Sequence, residues 1–65
     1  MPNITIEGPK LDDIEKKREM VKKITDSVEK GYGISREHIV VTIKENKLEN
    51  VSVGGVLIAD RKKDK

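Results

Sequence analysis

The chain contains no cysteine, a single histidine and a single aromatic residue, Tyr32, among its 65 residues. Without cysteine, neither a disulfide bond nor a thiolate metal site can supplement the core. His38 has no second histidine or any cysteine near it in the sequence, so we interpret it as a surface residue and predict no metal site. These absences exclude a disulfide scaffold and a thiolate-zinc domain.

Long apolar runs are also missing. No stretch approaches the roughly 20 apolar residues of a membrane span, and no apolar segment of a signal peptide is present. Charged residues make up 40% of the chain, but both signs are mixed along it and the net charge is only +2. A nucleic-acid-binding face requires a one-sided basic stripe, which the sequence lacks. We therefore expect a cytoplasmic protein that binds neither membranes nor nucleic acid.

Apolar residues contribute only 34% of the chain. A chain of this length buries only about 60% of its unfolded surface when it folds alone. Small domains without disulfides or metals often gain the missing stability by oligomerisation. The sequence therefore predicts that residues 1–65 form a single domain that assembles as a homo-oligomer.

The first half of the chain indicates a strand and a helix. Apolar and polar residues alternate over residues 3–7, which is typical of a half-buried strand. Residues 12–30 have an apolar stripe at helical spacing, opposite a charged face that we interpret as solvated. Asp12 is the expected N-cap, in a capping box with the glutamate three residues later. Gly31 and Gly33 are the expected left-handed stop positions.

The second half indicates a further strand and a hairpin. Residues 38–45 are apolar on both faces near their centre, as in an internal strand. Gly54-Gly55 lies between short β-branched runs and predicts a hairpin. Residues 60–65 read as a charged, frayed tail. One helix and a small sheet cannot cover all the apolar residues near the hairpin, which we expect to meet another subunit: Val51, Val53, Val56, Leu57 and Ile58.

The order of elements predicts an α+β fold, a β-α-β protomer with a C-terminal β-hairpin. A strand-helix-strand crossover usually gives right-handed, parallel pairing. A two-stranded sheet is not stable alone in water. Two copies side by side would form a four-stranded sheet backed by two helices, which is a plausible folding unit.

Pro2 is the candidate catalytic residue. If Met1 is removed, Pro2 carries the free α-amine, which is a secondary amine. Such an amine titrates near pH ~8 in model peptides, and burial or neighbouring cations lower its pKa. A neutral amine near pH ~7 is a competent general base. If Met1 stays, the same nitrogen is an amide without useful basicity, and the proline only stiffens the terminus.

These pieces together resemble the 4-oxalocrotonate tautomerase family of the tautomerase superfamily over nearly the whole chain. The resemblance is carried by Pro2 directly after Met1, the strand and amphipathic helix, and residues 42–45 (TIKE) and 50–55 (NVSVGG). Residues 7–10 (EGPK) are similar to the short members often called DmpI-like.

The resemblance implies both an assembly and a reaction. Protomers of the family pair into dimers with a four-stranded sheet, and three dimers commonly form a hexamer, which we therefore favour. The amino-terminal proline moves a proton between the enol and keto forms of a small acid, with no metal or organic cofactor. The expected substrates are 2-hydroxydienoates or enol-pyruvates.

The resemblance transfers unevenly to the binding residues. The family's arginine after the first strand is replaced here by Lys10, which offers a point charge but not arginine's bidentate fork. A second arginine, early in the second strand, is replaced by Val40. The aromatic wall residue before the hairpin is replaced by Val51. Lys10 and Val51 are the candidate substrate-binding residues. The altered residues imply either a native substrate different from the family's dicarboxylate or low activity on that dienoate.

Two alternative functions remain open at the level of sequence. Relatives with the same base hydrate halogenated acrylates or decarboxylate 2-oxo acids, for which Glu45 and Glu49 are available carboxylates. A non-catalytic, oligomeric binding module is the other alternative, favoured by the missing arginine and by retention of Met1.

Overall fold

The computed structural model describes residues 2–61. Two single turns of 3₁₀ helix, Arg36–His38 and Leu48–Asn50, precede the second and third strands. The principal elements follow in chain order: β1 (Asn3–Gly8), α1 (Ile14–Tyr32), β2 (Val40–Glu45), β3 (Ser52–Val53), β4 (Val56–Leu57) and α2 (Ile58–Arg61).

Strands β1 and β2 pair in parallel, with Asn3 opposite Val40 at one end and Gly8 opposite Glu45 at the other. The parallel pairing confirms the predicted crossover. Strands β3 and β4 pair antiparallel. Their turn is Gly54-Gly55, with φ angles of 62° and 85° that favour glycine, and this confirms the predicted hairpin.

Helix α1 begins one residue later than predicted, because Asp13 and not Asp12 is its N-cap. The Asp13 carboxylate accepts hydrogen bonds from the backbone N–H groups of Glu15 at 2.9 Å and Lys16 at 3.3 Å. The predicted capping box from Asp12 is therefore wrong. The N–H of Leu11 donates a hydrogen bond to the Glu45 carboxylate at 3.1 Å. Asp12 therefore still belongs to the loop that precedes the helix.

The helix ends at Tyr32, two residues later than predicted, and its C-cap is Gly33. Gly33 is left-handed with φ 68° and donates its N–H to the carbonyl of Glu29 at 2.7 Å. Gly31 was also expected to stop the helix, and this is wrong because a single left-handed residue suffices. Strand β2 begins at Val40 rather than at residue 38, because the intervening 3₁₀ turn occupies His38.

The expected frayed tail is partly wrong. Residues 58–61 form the short helix α2, and the Arg61 guanidinium donates to the carbonyl of Val53 at 2.9 Å. This hydrogen bond ties α2 back to β3, which explains why the chain does not fray directly after the hairpin. Residues 62–65, also part of the predicted tail, lie outside the described residues.

None of the side chains in residues 2–61 is fully buried in the isolated protomer. Alternate residues of β1 and β2, such as Ile4 and Ile43, are half-buried on one face. The radius of gyration is 15.3 Å, whereas a compact chain of this length has about 11 Å. The protomer is thus a thin slab of 44 × 25 × 15 Å, with apolar side chains left on its surface: Ile14, Tyr32, Val40, Val53, Val56 and Leu57.

Candidate active site

Pro2 lies at the amino end of the parallel sheet, directly before β1. Its carbonyl accepts a hydrogen bond from the backbone N–H of Val40 at 3.1 Å, which extends the β1–β2 ladder by one residue. Pro2 is half-buried. A backbone hydrogen bond to β2 therefore holds the candidate base in place.

A cavity of about 370 Å³ lies beside Pro2. One wall comes from the start of the strand, with Asn3 and Ile4, and the other from the end of α1, with Val28, Gly31 and Tyr32. The helix of a β-α-β unit runs back across the sheet, so its last turn returns to the amino ends of the strands. The fold thereby places the candidate base in a cavity whose lining side chains carry no charge.

Lys10 lies near the opposite end of β1. Its Nζ is 3.6 Å from the Asp12 carboxylate, and its side chain is 75% exposed. Strand β1 has six residues, which corresponds to roughly 20 Å of extended chain. Within one protomer, the structure does not bring Lys10 and Pro2 together.

Val51 lines a second cavity, of about 400 Å³, at the carboxyl ends of the strands. Its other walls include Gly8 and Pro9 from the end of β1 and Leu48 and Ile58 from the hairpin region. The carbonyl of Val51 accepts a hydrogen bond from the N–H of Ile58 at 2.8 Å, which fixes the base of the hairpin. Val51 is therefore near the Lys10 loop and away from Pro2.

Glu45 anchors the loop that carries Lys10, a role that the sequence analysis missed. Its carboxylate lies 2.6 Å from Nζ of Lys17 and accepts the N–H of Leu11 at 3.1 Å. These two hydrogen bonds, with the charges of Lys17 and Lys10, hold the pKa of the Glu45 carboxyl below its usual value. A charged carboxylate thus fixes the chain between β1 and α1.

The match of this chain to a protein family identifies the class of the site. Residues 2–61 match the family described as Tautomerase enzyme. This chain belongs to the tautomerase family. Among curated proteins, the 2-hydroxymuconate tautomerase of Bacillus subtilis (strain 168) is 35% identical over 60 residues, which is 92% of this chain and 97% of that protein.

Several solved structures have the same fold as this chain. The crystal structure of DmpI from Archaeoglobus fulgidus is 47% identical, with a TM-score of 0.83 over 91% of this chain and 100% of that one. A 4-oxalocrotonate tautomerase isozyme from Methylibium petroleiphilum is 26% identical, with a TM-score of 0.90 over 98% and 100%. The resemblance seen in the sequence is confirmed, and the chain is an isomerase of the 4-oxalocrotonate tautomerase type.

In this tautomerase, Val40 occupies the position early in β2 where the family resemblance implies an arginine. Val40 is 43% exposed, and its backbone contacts Pro2. The nearest preceding cation, Arg36, donates hydrogen bonds to the carboxylates of Asp26 and Glu29. These bonds lower the pKa values of both carboxyls and raise that of the guanidinium. Arg36 therefore fixes the turn before β2 onto α1.

Tyr32 is the site residue that sequence reasoning missed. It is the last residue of α1, lines the cavity beside Pro2 and is 63% exposed. A signal was present, because a parallel crossover places the end of the helix over the start of the first strand. The lone aromatic residue of the chain could have been placed beside Pro2 on that ground.

Within residues 2–61, no group of histidine and acidic side chains is arranged to hold a metal ion. In the same range, no helix combines the length and the apolar character needed to cross a membrane.

Proposed function

We propose that this protein, after removal of Met1, is a cofactor-independent keto-enol tautomerase that uses the Pro2 amine as general acid and base. Its substrates are enol acids of the 2-hydroxydienoate or enol-pyruvate type. The observation that carries the proposal is the position of Pro2 at an uncharged cavity in a chain of the tautomerase family.

The proposed reaction balances without any other reactant. The amine takes the proton of the enol hydroxyl and leaves an enolate. The protonated amine then returns a proton to carbon: the electron pair of the enol double bond forms the new C–H bond as the C–O bond becomes a carbonyl. In a dienol protonated at the far end, the second double bond shifts. The enzyme ends as it began. An apolar wall excludes water and weakens the solvation of a charged amine, which suits a base that must be neutral at the start of each cycle.

The substrate carboxylate requires a cation, and we assign this role to Lys10 of a second copy, with Val51 in the adjoining wall. Strands related by a two-fold axis pair antiparallel, so the amino end of one β1 lies beside the carboxyl end of the other. This arrangement would bring Lys10 of one subunit to Pro2 of its partner. We accordingly propose a homo-oligomer of dimers, with the hexamer favoured.

The test combines an intact mass with a substitution. Protein purified from its native host is expected to begin at Pro2, without Met1. The variant Pro2→Ala retains an α-amine but loses the ring that directs it, and we expect kcat/KM on 2-hydroxymuconate or an enol-pyruvate to fall about 10²- to 10⁴-fold.

The control measurements are circular dichroism and sedimentation, which should not differ between the variant and the parent. Retained Met1 in the native protein, or an unchanged rate for Pro2→Ala, would remove Pro2 from the mechanism.

The hydratase and decarboxylase alternatives receive less support from the geometry. Glu45, one of the two candidate carboxylates, is engaged with Lys17 and the N–H of Leu11. Neither Glu45 nor Glu49 lines the cavity beside Pro2 in the protomer. Product analysis on a halogenated acrylate and on a 2-oxo acid distinguishes these reactions from tautomerisation.

A further inference from the structure

The cavity beside Pro2 differs chemically from a site that would hold two carboxylates. Its lining residues are Pro2, Asn3, Ile4, Val28, Gly31 and Tyr32, whose side chains carry no charge. Ligand cavities of roughly 300–1,000 Å³ are usual for small molecules, and this one has about 370 Å³. The surface that it offers to a ligand is mainly apolar, with one aromatic ring.

The end of helix α1 adds a negative potential to the same cavity. Gly31 and Tyr32 belong to its last turn, and Gly33 is its C-cap. The last carbonyls of a helix carry about half a negative charge. A carboxylate placed against them is repelled, whereas an apolar group is not.

Lys30, in the last turn of α1, moderates this potential, but among the described residues no cation lines the cavity beside Pro2. Val40, which contacts Pro2 through its backbone, is apolar. The guanidinium of Arg36 is committed to Asp26 and Glu29. Within the described part of the protomer, the cavity therefore offers no cation for the second carboxylate of a dicarboxylate.

In place of a cation, the cavity contains the aromatic side chain of Tyr32. Its ring offers a face for offset stacking on a conjugated or aryl group, and its hydroxyl is a neutral hydrogen-bond donor. In the protomer, the residue is 63% exposed and lines the cavity beside Pro2.

From these observations we infer that Tyr32 determines specificity, by packing on the apolar or aryl tail of an enol acid that carries one carboxylate. The inference rests on the proposed tautomerase function. It places the tail at the end of α1 and directs the single carboxylate toward Lys10 of the neighbouring copy. The cavity thus selects monocarboxylates over dicarboxylates.

The experiment compares kcat/KM on an aryl enol-pyruvate with kcat/KM on 2-hydroxymuconate. The parent protein is expected to prefer the aryl enol-pyruvate. Tyr32→Ala should lose about tenfold on that substrate, mainly through KM, and much less on 2-hydroxymuconate. Tyr32→Phe, which keeps the ring, should retain the preference.

Two further variants separate specificity from folding. Ile14→Ala removes another exposed apolar side chain of α1, 55% exposed and at the far end of the helix, and should leave the substrate ratio unchanged. Val40→Arg adds a cation beside Pro2 and should shift the ratio about tenfold toward the dicarboxylate.

A parent preference for 2-hydroxymuconate, or equal losses on both substrates in Tyr32→Ala, overturns the inference and leaves the tautomerase function intact. Absence of activity on either enol in protein beginning at Pro2 overturns the proposed function, and this inference with it.

Discussion

The two ends of the parallel sheet have different chemistry. At the amino end, Pro2 lies in a cavity lined by uncharged side chains at the terminus of α1. At the carboxyl end, the Lys10 loop is tied down by the charged pair of Glu45 and Lys17. The proposed base, Pro2, and the proposed cation, Lys10, thus lie in one chain but are separated by the length of β1.

Because of this separation, the isolated protomer does not bring the proposed base and the proposed cation together. A proton-transfer base works best where water is excluded, while a cation that binds a carboxylate must be held by fixed charges. The fold places these two different environments at opposite ends of one strand. Antiparallel pairing of two copies would then bring the amino end of one β1 to the carboxyl end of the other at every site.

After Pro2→Ala, the largest effect is expected from removing the cation at the carboxyl end of the sheet. Lys10→Met should raise KM for an enol acid about tenfold, because the substrate carboxylate loses its cation. Steady-state kinetics measures the change. Lys23→Met is the matched control, since Lys23 is similarly exposed and also has one acidic partner, Glu19 at 3.1 Å. Its KM should not change.

Mixing Pro2→Ala chains with Lys10→Met chains tests whether Pro2 of one subunit and Lys10 of another form one site. Oligomers co-assembled from Pro2→Ala and Lys10→Met chains combine one intact end from each, so about a quarter of all sites should be fully active. If both ends acted within one subunit, only about a twentieth of the parent activity would remain. Recovery near the lower value contradicts the shared site.

A smaller effect is expected from Glu45→Gln, which keeps the shape but removes the charge that anchors the Lys10 loop. KM should rise a few-fold with kcat nearly constant, and the protein should be less stable at neutral pH. The pKa of the Glu45 carboxyl is lowered from its ordinary value of 4.5. Its stabilisation is therefore complete above that value and is lost as the pH falls through the lowered pKa.

Urea denaturation as a function of pH measures this contribution. The parent and Glu45→Gln should differ at pH ~7 and converge in acid. The exposed Glu49 provides the control substitution Glu49→Gln. A difference between parent and Glu45→Gln that persists unchanged below the lowered pKa would contradict the electrostatic anchor.

The smallest effect concerns the helix end beside the uncharged cavity. Gly33→Ala forces a left-handed residue with a Cβ and should cost about 1 kcal/mol of unfolding free energy. Gly31→Ala, inside the helix, should instead stabilise by roughly 0.5–1 kcal/mol. A Cβ at either position meets nothing within 4 Å, so the two variants differ only in backbone conformation. Denaturation showing the same sign for both would contradict this explanation.

The elements and their order were predictable from the sequence because each has a local signal. Alternation marks β1, the apolar stripe marks α1, and Gly54-Gly55 marks the hairpin. The exact N-cap was not predictable, since Asp12 and Asp13 are chemically equal and the choice depends on the loop that Glu45 holds. That contact joins residues far apart in the chain, and no local pattern reports it.

The candidate site was predictable in part, for the same reason. Pro2 is identified by its position at the chain's start and by the family resemblance. Tyr32 has no local signal in the sequence. It can be assigned to the site only through the predicted crossover, which places the end of α1 over Pro2. The roles of Lys10 and Val51 stay predictions, because they depend on a neighbouring copy.

The absence of fully buried side chains from the described part of the protomer has a thermodynamic consequence. Apolar surface that is covered only by a neighbour stabilises the fold only when the neighbour is bound. Unfolding and dissociation then become one equilibrium, governed by mass action. A melting temperature for such a chain rises with protein concentration, and two values are comparable only when measured at the same one.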